Sequence, residues 1–277
     1  GAGSPNLIEP AGPIDPEIGL LLVQARDGRP ICVLANYSLH YVGGYEALSA
    51  DYFGEYANRM RSLLKADDVR PAFVGIMSNG TSGDINNVNF RTPRPRSTGG
   101  PSQIEIVADS VAQASMKALA GAKYHDWVPL KVAEREIELG VRLPSAADVA
   151  QAQATLSGLT PPYKTPAEIY ARETILLSKY PATVQAKLQA MRIGELGIVS
   201  SPCETFVEIG LDIKKRSPLK PTFTIELANG YNGYLPTPKH HELGGYETWR
   251  ARSSYLEVNA SDKITATLLD LLNEVAK

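Results

Sequence analysis

Short apolar runs alternate with segments of helical period along most of this chain, and that alternation limits the fold more than any other feature. Residues 19–23 and 31–35 are apolar and separated by the turn-forming Arg26-Asp27-Gly28-Arg29, so they read as adjacent strands. Residues 49–65 read as a helix, with Ser49 at the N-cap, Asp51 in the first turn and Tyr52, Tyr56, Met60, Leu63 and Leu64 at helical spacing. Residues 71–77 read as a buried strand entering a polar, Gly-rich loop, 78–89. After a basic, Pro-containing stretch, a second helix carries Ile104, Val107, Val111 and Leu119 on one side. Residues 130–141 and 184–193 alternate as strands, and 145–157 and 165–180 are helical. The last of these opens on Thr165-Pro166-Ala167-Glu168, a capping-box pattern with Pro at the first helical position. A strand at 196–201, a helix at 205–214, a strand at 221–227 and a helix at 261–275 complete the series. The pattern predicts an α/β, mixed α+β layered fold with sheets flanked by helices.

Composition excludes several classes. The 277 residues hold 28 Lys and Arg against 30 Asp and Glu, a net charge of −2, which argues against a general nucleic-acid binder. With 43% hydrophobic and 21% charged residues the chain can build a sizeable core and lacks the signature of disorder. No apolar run of about 18 residues is present, so no transmembrane segment is expected. Cys32 and Cys203 can form one pair at most, too few for a disulfide framework. The Pro-rich residues 5–16 read as an extended lead-in, and Arg91–Arg96 (RTPRPR) as a solvated loop. The opening Gly1-Ala2-Gly3-Ser4-Pro5 lacks a starting Met and reads as the interior of a longer chain.

Four polar stretches fall where a strand ends and irregular backbone begins, the usual place for side chains to converge. The first, residues 36–44, contains His40 and a Gly pair. The second, 78–87, carries Ser82, Gly83-Asp84 and Asn86; its hydroxyls and amides can cap one another or meet a ligand. In the third, 200–205, Glu204 stands at the start of the expected helix, where it would complement the helix dipole. The fourth, 229–247, places Tyr231, Tyr234 and Tyr246 in a loop rich in Gly, Asn and Pro. Phenols there can pack, donate to an oxyanion, or bind a metal as phenolate.

Together these stretches resemble the neutral ceramidase family, zinc-dependent amidases that cleave N-acyl sphingosine. The resemblance runs through nearly the whole chain in order and approximate spacing. His40, followed by Leu48-Ser49-Ala50-Asp51-Tyr52-Phe53-Gly54, matches a zinc histidine and the stretch after it. Residues 79–86 match the active-site loop through Gly83-Asp84, and Pro202-Cys203-Glu204-Thr205 matches the segment whose Glu binds zinc. Tyr234 matches the zinc-bound tyrosine, and Tyr246, twelve residues later and followed by Glu247, the catalytic one. This last spacing is the most specific match.

The resemblance implies one catalytic-type domain over residues 1–277 that lacks an N-terminal segment of the full protein, because the family's other zinc histidine, a catalytic histidine and a substrate-binding arginine lie further upstream. It implies His40, Glu204 and Tyr234 as ligands to Zn2+, with Tyr246, Asp84 and Asn86 at the reacting centre. It also implies a small-molecule or lipid-like amide substrate and a secreted or periplasmic setting. Zinc so bound would activate water and polarise the amide carbonyl, and Tyr246 would donate to the oxyanion. One departure stands out: the position of the family's essential serine is Asn86, and an amide is not a nucleophile. That substitution points to another substrate or a changed mechanism, or to a non-catalytic binding or scaffold protein on the same fold. His240 and His241 read as a solvated pair rather than replacement ligands. A metal-independent serine hydrolase built on Ser82 lacks the Gly-x-Ser-x-Gly context.

Overall fold

The computed structural model describes residues 2–44, 48–92 and 102–277. Residues 93–96 of the Arg/Pro stretch lie outside them. The chain divides into two compact units, Gly1–Pro129 and Leu130–Lys277.

In the first unit, strands β1 (Gly19–Gln24), β2 (Pro30–Tyr37) and β3 (Val74–Asn79) form a sheet in that order, with helices α1 (Asp51–Leu63) and α2 (Gln103–Leu119). β1 pairs antiparallel with β2, and β2 parallel with β3 in a register that sets Tyr37 beside Asn79. Parallel neighbours require a crossover, and α1 supplies it, so β2, α1 and β3 form a βαβ unit. The core takes Val33 and Ala35 from the sheet, Tyr52, Tyr56 and Met60 from α1, and Ile104, Val107 and Val111 from α2. Each such large side chain gains about 1.5–3 kcal/mol from burial. A Cβ on Gly75 would stand 2.8 Å from the Ala57 backbone, so glycine there lets α1 approach the sheet. On the other face Val23, Val74 and Ile76 are exposed. The N-cap of α1 is Ala50, not Ser49; the Ser49 hydroxyl instead accepts from the Asp51 N–H at 3.0 Å.

The second unit carries β4 (Leu130–Gly140), α3 (Ala146–Leu156), α4 (Pro166–Leu177), β5 (Thr183–Ile193), β6 (Leu196–Ser200), β7 (Glu204–Thr205), α5 (Val207–Arg216), β8 (Thr222–Ile225), β9 (Tyr234–Leu235), α6 (Pro238–Leu243), a 3-10 turn (Tyr246–Thr248) and α7 (Ala260–Ala276). Its main sheet runs β4-β5-β6-β8, with β6 and β8 parallel and joined across α5: a second βαβ unit. Ile264, Leu268, Leu271, Leu272 and Val275 of α7 and Ile209 and Ile213 of α5 belong to one core cluster with Leu188, Ala190 and Val199. At α4 the Thr165 hydroxyl caps the Glu168 N–H as the sequence predicts, and the Glu168 carboxylate reaches back to the Lys164 N–H. Among the described residues no helix is long and apolar enough to cross a membrane. The mixed, layered α/β arrangement is the one the alternation predicts.

Candidate functional site

The four polar stretches all follow the carboxyl ends of the parallel pairs β2–β3 and β6–β8, the end at which open α/β sheets hold ligands. In the first unit, β2 and β3 end side by side, so the residues after Tyr37 meet those after Asn79. A Gly80 N–H to Tyr37 C=O bond of 2.8 Å and a His40 N–H to Ile85 C=O bond of 3.0 Å tie the two loops together. Gly80 is required by this approach, since a Cβ there would lie 2.5 Å from the Ser38 hydroxyl. Asp51, at the start of α1, accepts the N–H groups of Val42 and Gly43 at 2.8 Å each and holds the segment after His40.

His40 is half-buried, and its Nδ1 lies 2.5 Å from the Ser82 carbonyl oxygen. A carbonyl only accepts, so Nδ1 carries the proton and the lone pair belongs to Nε2, the tautomer of a histidine oriented for metal binding. Asp84 is half-buried and Asn86 exposed. Ser82 is fully buried with its hydroxyl on Asn79 Oδ1 at 3.2 Å, which denies it the access a nucleophile needs.

The second unit brings together Glu204, Tyr231, Tyr234 and Tyr246. Glu204 does not begin a helix: it lies in the two-residue strand β7, directly opposite Tyr234 on the parallel strand β9. Helix α5 starts three residues later, and the acidic residue of its first turn is Glu208. The Glu204 N–H bonds to the Gly233 C=O at 2.9 Å, and the buried Glu226 carboxylate accepts the Thr205 N–H at 2.7 Å. The Tyr231 hydroxyl donates to Glu204 Oε1 at 2.9 Å. The Tyr234 and Tyr246 rings meet edge to face, centroids 5.8 Å apart. Burial, then a hydrogen bond to Tyr246 and the Glu204 charge, push the Tyr234 pKa well above an ordinary phenol. Burial is also the main cause that raises Tyr231 and Tyr246.

Two sequence readings are corrected here. The 229–247 stretch is not all irregular, since it contains β9, α6 and the 3-10 turn. Nor are the two histidines a solvated pair. His240 is 4% exposed, its ring edge-on to Phe206, with Nδ1 2.7 Å from the Thr237 hydroxyl and Nε2 3.3 Å from Glu208. His241 is half-buried, and burial followed by the Arg142 charge lowers its pKa. Sequence reasoning missed the Tyr231–Glu204 bond and the buried Glu226 as well. Both cysteines are free, and burial pushes the Cys203 thiol up to about 12, so it is inert.

No family model and no curated protein sequence matches the chain. Solved structures do. The neutral ceramidase from Pseudomonas aeruginosa aligns with a TM-score of 0.66 at 15% identity, over 94% of this chain and 46% of that one. A ceramidase complexed with C2 aligns with a TM-score of 0.69 at 14% identity, over 99% of this chain and 50% of that one. The chain thus spans about half the length of the structures it matches, and over that half it has the fold of the neutral ceramidases.

Proposed function

We propose that this chain forms part of the active site of a zinc-dependent hydrolase of the neutral ceramidase type, acting on an N-acyl amide or related bond. The observation that carries the reading is the β7–β9 register, which sets Glu204 against Tyr234 with Tyr246 at its ring edge. A carboxylate, a phenol and a histidine in the Nδ1–H tautomer are a donor set that suits zinc, so Glu204, Tyr234 and His40 would hold it. Bound zinc would supply a Lewis acid that polarises the amide carbonyl.

The chain's own residues do the rest. Tyr246, kept protonated by burial, is a hydrogen-bond donor for the oxyanion that develops as the carbonyl is attacked, a contribution of roughly 3–4 kcal/mol. Asn86 and Asp84 occupy the loop beside His40; Asn86 can orient a polar group of the substrate but cannot attack it.

Metal analysis of the full-length protein should find about one zinc per chain, lost in Glu204→Ala and Tyr234→Phe. Retention in both variants contradicts the ligand assignment. Asn86 favours a second reading, a binding or scaffold protein that holds its ligand without turnover. A panel of N-acyl amides and esters separates the two: chelator-sensitive hydrolysis supports the enzyme, and zinc-loaded protein that turns over none supports the scaffold.

A further inference from the structure

Tyr231 is 55% exposed as a residue, yet its hydroxyl end is desolvated and held on one oxygen of Glu204 at 2.9 Å. The backbone on both sides of it is fixed. The Asn229 side chain donates to the Ser200 hydroxyl at 3.1 Å and to Gln189 Oε1 at 2.9 Å, at a positive φ of 69°. The Asn232 N–H bonds to the Pro202 C=O at 2.7 Å, and Asn232 Oδ1 accepts from the buried Tyr255 hydroxyl at 2.7 Å. Tyr231 is therefore presented to Glu204 by a braced loop, although an exposed ring adds little to the core. A carboxylate has two oxygens and turns freely about its last bond. Tyr234 also bonds this carboxylate; the Tyr231 donor on Oε1 limits the remaining rotation and helps to set the direction of Oε2.

We propose that Tyr231 is a positioning residue, whose phenol orients the Glu204 carboxylate for the metal. The inference rests on the reading of Glu204 as a zinc ligand. Partners of this kind around a ligand typically change metal affinity by 10–100-fold.

The test is a competitive chelator titration of zinc on the full-length protein, with thermal melting as the control for folding. Tyr231→Phe removes one hydroxyl and its bond to Glu204, so it should still unfold cooperatively, slightly below the wild type, while binding zinc about 10–100-fold more weakly. Glu204→Asp withdraws the carboxylate by one methylene, beyond reach of Tyr231. In that background Tyr231→Phe should have no further effect. Wild-type affinity in Tyr231→Phe overturns the inference, and so does an undiminished loss in the Glu204→Asp background, which would mark a purely structural role. If Glu204→Ala abolishes binding while Tyr231→Phe does not weaken it, only the role of Tyr231 falls. If the wild type takes up no zinc, the inference and the reading beneath it fall together.

Discussion

Tyr234 holds its proton more firmly than a free phenol does, because burial, Tyr246 and the Glu204 charge all favour its neutral form. A bound cation would oppose all three, so a phenolate at this position would require one. Tyr246 shares the direction of that shift, again chiefly through burial, and so remains a donor across the neutral range. Replacing it with Phe should lower kcat toward an N-acyl amide by about 10²–10³-fold while zinc content stays at the wild-type level. An unchanged kcat would remove Tyr246 from the reacting centre. The pairing of Tyr234 with Tyr246 in one site was implied in the sequence only by the family resemblance, through their twelve-residue spacing. The bond from Tyr231 to Glu204 was not, since it joins residues 27 positions apart and exists only once β7 and β9 pair. His240 was misread for a related reason: two adjacent histidines in a polar loop look solvated until α6 forms and buries one of them.

Elements place these residues through two βαβ units, each opening its loops at the carboxyl ends of a parallel pair. The long elements were visible in the sequence because periodicity needs length. β7 has two residues and no period, so Glu204 was assigned to the helix that follows. The short strand is maintained by close backbone approach. Gly233 has φ +74°, and a Cβ on it would lie 2.4 Å from the Ser253 carbonyl oxygen. The same loop carries the Gly233 C=O that receives the Glu204 N–H and the Tyr234 N–H that bonds to Ser253 at 2.8 Å. Gly233→Ala combines a positive-φ penalty with a backbone clash and is expected to cost about 2–3 kcal/mol, with loss of zinc binding. Denaturant unfolding of the variant checks the first outcome and metal analysis the second. A variant of wild-type stability that retains zinc would show that β9 does not depend on this approach.

At the scale of the whole molecule, buried acids whose neutral forms are favoured give each unit the same pH dependence. Burial raises Tyr56 in the first unit from 10.0 to about 12. In the second it raises Tyr255 from 10.0 and Cys203 from 9.0, each to about 12. A folded-state pKa above the unfolded one contributes stability that is complete below the unfolded pKa and lost as pH rises through the folded value. The melting temperature should therefore hold up to about pH 9 and fall between about pH 9 and 12. A flat profile across that window contradicts these assignments.

The chain covers only about half of the ceramidase structures whose fold it shares, so the complete protein is the right object for the central test. That test is a crystal structure of the full-length protein with anomalous scattering recorded at the zinc edge. A peak is expected within about 2.0–2.3 Å of His40 Nε2, a Glu204 carboxylate oxygen and the Tyr234 phenol oxygen. Zinc-loaded crystals with no peak there, or with these three groups directed to separate places, would contradict the ligand assignment.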